Sequence, residues 1–281
     1  MPLIIYNPKS RNGKPEKKIR KFIRKEMKGI QDYKVIDITT EKDLQRLLKS
    51  HPKEDPVYLL GGDGTLNHFI NQTFELHPLG FSIHLVPLGS GNDFYRTLKK
   101  DYSKTQFIYE VKTPQETRYF INGMGIGIDG EIGLHVNASP TKKRSTYFFE
   151  TIKGLVRYQP QTVEVTLDDT PYTFEKTYLV VASNGQYFGS GMRISPDASL
   201  SDDALDVIIV HAISRIKILM IFLSIYIGKH LAFKKHVFHT QASKITIKQT
   251  KPGVLQTDGE TWPDQTTLTI QKTDKKTAFH I

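Results

Sequence analysis

The 281-residue chain has no cysteine, so disulfides, thiolate metal centres and thiol nucleophiles are all excluded. It also lacks a long apolar run. The stretch that comes nearest, ILMIFLSIYI over 218–227, is ten residues long, whereas a helix needs about 20 to cross a bilayer core. It reads instead as a buried helix or as one lying at an interface. The first residues run directly into Leu3-Ile4-Ile5-Tyr6, without the charged segment and longer apolar stretch of a secretory leader. A cytoplasmic location is therefore expected. Acidic residues are the minority, 29 against 39 Lys and Arg, which leaves a net charge of +10. Such a surface favours anionic partners: nucleotides, nucleic acid or the face of an acidic membrane.

Apolar residues make up 38% and charged residues 24%, the balance of a chain able to bury a sizeable core. The cations are unevenly spread. Between positions 9 and 28 ten Lys or Arg stand against two Glu, while Ile19, Phe22, Ile23 and Met27 recur at helical spacing. This predicts a helix with a solvated basic face packed on a sheet. Attraction to a membrane surface is a second reading of the same run, and nucleic-acid binding a weaker third.

The pattern changes along the chain. Strands are predicted at 3–6, 34–38, 57–60 and 82–87, with helices between them at 41–49 and 66–75, which implies a parallel sheet covered on both faces. Later segments at 162–167, 173–182, 205–211, 244–248, 254–257 and 267–271 are short and β-rich, with helices only near 147–157 and 216–233. That is the pattern of an antiparallel sandwich. The expected architecture is thus α/β, with an N-terminal doubly wound, Rossmann-like parallel sheet over 1–121 and a C-terminal antiparallel β-sandwich over 122–281. The last residues are free to return to the first domain.

Two glycine loops carry the chemistry. Gly61-Gly62-Asp63-Gly64-Thr65-Leu66-Asn67 follows a strand and opens a helix, so its backbone N–H groups can meet a phosphate that no Cβ keeps away. Asp63 offers a hard oxygen to Mg²⁺ or to a bridging water, and Thr65 offers a hydroxyl. A tight turn before a helix cap would also favour Asp and Thr, but three glycines in five positions go beyond that need. Pro87-Leu88-Gly89-Ser90-Gly91-Asn92-Asp93-Phe94 follows the next strand, and Asn7-Pro8 follows the first. All three loops lie at one sheet edge, which argues for a single nucleotide site. Near the C-terminus, Asp258-Gly259-Glu260 sets two carboxylates around a glycine. One of them can take a proton from a hydroxyl nucleophile.

GGDGTLN followed by PLGSGNDF resembles the diacylglycerol kinase catalytic family, which includes bacterial lipid kinases and the sphingosine and ceramide kinases. The likeness continues through Asn122-Gly123-Met124-Gly125-Ile126-Gly127-Ile128-Asp129, Ser183-Asn184, the segment 189–198, the acidic turn 201–207 and Asp258-Gly259-Glu260, so it spans nearly the whole chain. The resemblance implies an ATP-dependent lipid kinase that uses Mg²⁺ and transfers the γ-phosphoryl group to a lipid hydroxyl, with a diacylglycerol-like substrate. It implies nucleotide contacts at Asn7, Thr40, Gly62, Asp63, Gly64, Thr65, Leu66, Asn67, His68, Gly89, Ser90, Gly91 and Asn92. It implies catalytic roles for Asp63 and for the acids of the last motif, with Glu260 favoured as general base and Asp258 as its rival. A structural Mg²⁺ is implied at the Asp202 side chain and the carbonyls of Ser199 and Ala204.

The chain departs from the family pattern at His68, where Glu is usual, at Glu110, the acid nearest to a usual Asp, and at Ala204 in place of Gly. Two other readings share some of these features: a soluble-substrate kinase of the NAD kinase type, and a non-catalytic membrane- or nucleic-acid-binding protein on a kinase scaffold. The resemblance favours peripheral attachment to a membrane carrying the lipid substrate, with no nucleic acid among the partners and a homodimer as a permitted assembly.

Overall fold

A computed structural model describes all residues except 11–14, 90, 104 and 140–143. Its first sheet is built from β1 (Leu3–Tyr6), β2 (Lys34–Asp37), β3 (Val57–Gly61), β4 (Ile83–Pro87) and β15 (Phe279–His280), in the spatial order β15-β4-β3-β1-β2. Every pairing in it is parallel. Strands buried on both faces need apolar residues at odd and even positions alike, and LIIY and VYLLG supply them. Leu3, Ile5 and Leu59 point to one side and Ile4 and Leu60 to the other.

Helices cover both sides. α1 (Glu16–Glu26) lays Ile19 and the following Met27 against Ile4, Leu60 and Leu88. Its remaining apolar residues, Phe22 and Ile23, pack on the same cluster, so the basic face is the one left to solvent. On the opposite side lie α2 (Leu44–Lys49), α3 (Asp63–Thr73) and α4 (Asp93–Lys100). α2 starts later than the predicted 41 because the Asp43 side chain caps it, accepting the Arg46 N–H at 2.8 Å. Phe69 of α3 and Phe94 of α4 are fully buried, each stabilising the layer by about 1.5–3 kcal/mol.

The second sheet has ten strands. β5 (Gln106–Lys112), β6 (Thr117–Phe120), β7 (Gly123–Gly127), β8 (Gln161–Leu167), β9 (Thr170–Thr177), β10 (Leu179–Ser183), β11 (Leu205–Val210), β12 (Val237–Ala242), β13 (Lys244–Thr257) and β14 (Glu260–Thr277) pair antiparallel throughout. The chain enters this sheet at β5, ahead of Asn122, and leaves it only when β15 returns to β4. The segments predicted at 244–248 and 254–257 are one strand. β13 pairs with β8 along its first half and with β7 along its last, with register shifts on either side of Gly253. The bend wraps the sheet around a core that includes Tyr109, Ile126, Val165, Val207, Ile247 and Ile270. Three helices cover its outer side: α5 (Ile128–Ala138), α6 (Arg144–Arg157) and α7 (Arg215–Ile225). No helix among the described residues is long and apolar enough to cross a membrane.

Candidate active site

Between the two sheets lies a cleft of about 710 Å³. Its walls come from the ends of β1, β2 and β3, the first turns of α3, the β4–α4 loop, β7, α5, and the turn between β13 and β14. The two glycine loops form its floor. A Cβ on Gly89 would stand 2.6 Å from the Gly62 Cα, so only glycine lets the two loops touch. Leu88 donates its N–H to the Gly61 carbonyl at 2.7 Å, and the Asn92 side chain donates to the Gly89 carbonyl at 2.9 Å. Gly62 caps α3, whose free N–H groups and positive dipole end face the cavity.

Asp63 lines the cleft and also braces its floor. Its Oδ2 accepts the Asp93 N–H at 3.0 Å and its Oδ1 the Phe94 N–H at 3.1 Å, so it caps α4 from across the cleft floor. Burial raises its pKa, and the two amides pull the other way. Asp93 continues the chain of contacts, accepting the Ser190 N–H at 2.8 Å and the Arg96 guanidinium at 3.2 Å. Its pKa is raised by burial first and by the neighbouring Asp63 second. This relay ties the glycine loops to the segment between β10 and β11, which belongs to the second sheet unit.

The geometry separates the two acids of the last motif. Asp258 and Gly259, with φ of 48° and 91°, form the two-residue turn of a tight hairpin, a conformation that Asp-Gly favours. Asp258 is buried. Its Oδ1 accepts the N–H groups of Asn122 (3.0 Å) and Gly123 (2.9 Å), and its Oδ2 accepts that of Ile121 (3.0 Å) and the Asn67 amide (3.3 Å). Burial pushes its carboxyl up to about 6 against these four donors. Glu260 is exposed and makes no such bonds among the described residues. Its Oε1 lies 3.2 Å from where a Cβ on Gly64 would stand, over the N-terminal turn of α3.

Most expected nucleotide contacts line the cleft: Asn7, Gly62, Asp63, Gly64, Thr65, Asn67, His68, Gly89 and Gly91. Three do not. Leu66 is buried in the first core. Asn92 braces the loop from behind, at φ 53°. Thr40 is turned away, and Thr39 takes the place on the wall. Asp37 at the end of β2 decides this, since its Oδ1 accepts both the N–H (2.8 Å) and the hydroxyl (2.7 Å) of Thr39. The Asp-x-Thr spacing was the available signal. Ser90 lies outside the described residues. Glu110 is not part of the cleft wall; it accepts from Gln271 at 2.6 Å and pairs with Lys112.

The expected metal turn is held by hydrogen bonds. The Asp202 carboxylate accepts the Ala204 N–H at 3.3 Å and the Gln241 amide at 3.2 Å, while the Ser199 hydroxyl meets Ser201 at 2.7 Å. No group of three His, Asp or Glu side chains able to hold a metal occurs among the described residues. Each oxygen of Asp202 accepts one hydrogen bond and keeps a free lone pair, so the turn leaves this carboxylate able to accept a further partner.

Sequence reasoning passed over Asp129 as a site residue. It is buried at the start of α5, and burial pushes its carboxyl up to about 7. It lines the main cleft and also a narrow apolar cavity of about 50 Å³ between α5, α6 and α7, walled by residues such as Ile132, Leu155, Ile218 and Phe222. The Gly-x-Gly-x-Asp spacing from Gly125 to Asp129 could have pointed to it, because a side chain at Gly125 would collide with this carboxylate. Arg118 and Trp262 also line the cleft, with the guanidinium 5.4 Å from the ring centroid.

Residues 2–118 match the family model of the diacylglycerol kinase catalytic domain, and residues 123–271 match that of the YegS C-terminal NAD kinase beta sandwich-like domain. The chain is 26% identical to the diacylglycerol kinase of Bacillus subtilis over 277 residues, covering 92% of this chain and 88% of that one. It is 25% identical to the "Putative lipid kinase YtlR" of the same organism over 201 residues, 62% of this chain. That match spans 64% of YtlR, under two thirds of its length. The fold matches a solved "putative diacylglycerol kinase" from Bacillus anthracis with a TM-score of 0.75 at 24% identity, covering 99% and 94% of the two chains. An NAD kinase from Archaeoglobus fulgidus in complex with ATP superposes at 0.52 with 13% identity, covering 99% of this chain and 93% of that one. Both structural likenesses concern the fold alone.

Proposed function

We propose that this chain, which belongs to the diacylglycerol kinase catalytic family, transfers the γ-phosphoryl group of ATP to the hydroxyl of a diacylglycerol-like membrane lipid. The observation that carries the proposal is the position of Glu260: an exposed carboxylate over Gly64, facing the helix end where phosphates would lie. The amides of the first turn of α3 and of the β4–α4 loop hold the nucleotide phosphates, while Asn7 and Thr39 sit at the neighbouring strand ends. Glu260 accepts the proton of the lipid hydroxyl as its oxygen bonds to the γ-phosphorus in line with the departing ADP. Asp258 sets the position of that base by clamping its hairpin to the start of β7. Asp63 fixes the two phosphate loops against each other. Mg²⁺ arriving with the nucleotide would neutralise charge on the phosphates, with the Asp63 carboxylate of the cleft wall as the side chain to hold it, directly or through water.

The first sheet unit then serves the nucleotide and the second serves the acceptor. The apolar cavity that meets the cleft at Asp129 favours a lipid over a soluble dinucleotide as that acceptor. An enzyme of this kind works at the cytoplasmic face of a membrane without crossing it. The test is ATP turnover screened against mixed lipid vesicles, with products identified by mass spectrometry. A phosphorylated lipid that disappears with Glu260→Gln is the expected result. Phosphorylation of NAD in place of lipid, or no acceptor dependence at all, would overturn it.

A further inference from the structure

α7 is apolar on both sides. Ile218, Ile221, Phe222 and Ile225 face inward and are buried. Ile216, Leu219, Met220 and Leu223, with Ile227 just past the helix, recur at the same helical spacing on the other side and are 83%, 39%, 52%, 51% and 62% exposed. The neighbouring α6 adds Phe149 and Val156, 61% and 63% exposed. The helices are joined beside this face, where the Arg215 guanidinium donates to the Val156 carbonyl, and beneath it, where the rings of Phe148 and Phe222 lie 5.8 Å apart. Large apolar side chains gathered on one face mark a surface that something covers.

Charge says what covers it. From 207 to 257 the sequence holds eight Lys or Arg and not one Asp or Glu. Arg215, Lys217, Lys229, Lys234 and Lys235 flank the apolar stripe and are exposed. A second copy of the chain docked symmetrically on this face would bring like charges together. An anionic bilayer takes up both features: apolar residues enter the acyl boundary and cations meet the headgroups. The face is also continuous with the site. Ile218, Ile221, Phe222 and Ile225, the inward stripe of the same helix, wall the apolar cavity whose inner end meets the cleft at Asp129.

We infer that the outer face of α6 and α7 docks the protein on an anionic phospholipid membrane and places the apolar cavity against the bilayer, so that lipid enters the site without crossing water. This rests on the lipid-kinase reading and deepens it. It also assigns docking to α7 in place of the basic helix α1, whose apolar residues are already covered by the first sheet.

The test uses the full chain and the triple variant Ile216→Ser, Leu219→Ser, Leu223→Ser, whose side chains are exposed and outside the cleft. Co-sedimentation with vesicles of phosphatidylcholine mixed with phosphatidylglycerol should weaken at least about tenfold in the variant. Lys217→Glu with Lys229→Glu should weaken binding to the mixed vesicles and leave binding to phosphatidylcholine alone unchanged. Activity on vesicle-borne diacylglycerol should fall with vesicle binding, while kcat/KM for dispersed dioctanoylglycerol stays within about twofold of wild type. Vesicle binding unaltered by the triple variant would overturn the proposal. So would a wild-type dimer that this variant dissociates without loss of vesicle binding. If the wild type phosphorylates neither acceptor, the kinase reading fails, and vesicle binding alone still decides the docking face.

Discussion

Glu260→Gln and Asp258→Asn alter two acids of one turn and are expected to fail in different assays. Glu260 is exposed and free of hydrogen bonds among the described residues, so its amide keeps the shape and should leave stability within about 0.5 kcal/mol. What it loses is the capacity to accept a proton, typically about 10²–10⁴ in rate, or roughly 3–5 kcal/mol of barrier. ATP affinity should hold, because the proposed nucleotide site lies on the loops of the first sheet.

Asp258→Asn behaves otherwise. One amide oxygen can serve two of the four donors, and the new NH₂ group then confronts the other two. Two orphaned buried donors cost about 2–6 kcal/mol. Removing a buried charge offsets part of this: a carboxyl pushed up to about 6 lies about two units above its unfolded value, on the order of 3 kcal/mol at neutral pH. The expected net loss is therefore up to about 3 kcal/mol, read as a lower urea midpoint. Turnover should fall through misplacement of Glu260. The decisive measurements are turnover rates and urea denaturation of both variants. A turnover abolished in Asp258→Asn with an unmoved midpoint, beside near-normal rates in Glu260→Gln, would refute the assignment.

Two further expectations follow from the same geometry. Gly89→Ala should cut kcat/KM for ATP by about 10²-fold, since the loops must part by something like 1 Å to admit the Cβ; Gly80→Ala, which meets only the flexible Lys53 side chain, is the neutral control in the same assay. Asp129 at about 7 and Asp258 at about 6 hold protons in the folded chain that the unfolded chain has released, so their contribution to stability should fall as pH rises from about 4 to about 7, against the opposite slope of His77 and His230, which burial lowers to about 4. Asp129→Asn should flatten that slope in urea midpoints at pH 5 and pH 8, and an unchanged slope would contradict the burial assigned to Asp129.

The parallel sheet was legible because each of its strands is a compact apolar run followed by a loop that announces a helix. The second sheet was less so. β5 and β6 went unread: their residues mix Lys, Glu and Arg with the apolar set, and the apolar partners that bury Tyr109 and Phe120 come from strands far along the chain. The merger of two predicted strands into β13 depends on a bend at Gly253, which no local pattern encodes. α7 shows the same gap from the other side. Its apolar run was read correctly as too short to span a bilayer, but a helix apolar all round gives no periodicity from which to choose its buried face.

The site was legible as a set of motifs and not as a division of labour. Spacing put Asp63, Asp258 and Glu260 into one cleft, yet all three are carboxylates beside glycines, and nothing local ranks them. Partners distant in sequence do. Asp63 is turned into a clamp by amides thirty and thirty-one positions away, and Asp258 by Ile121, Asn122 and Gly123, some 135 positions before it. Asp63 and Asp258 each hold a loop, and Glu260, left without donors among the described residues, is the one to which the proposed proton transfer is assigned. The same reasoning explains Thr39 and Thr40, where a single Asx turn at Asp37 chooses which of the two lines the cleft. Sequence thus supplies the candidates, and long-range hydrogen bonding shows which of them also hold the cleft together.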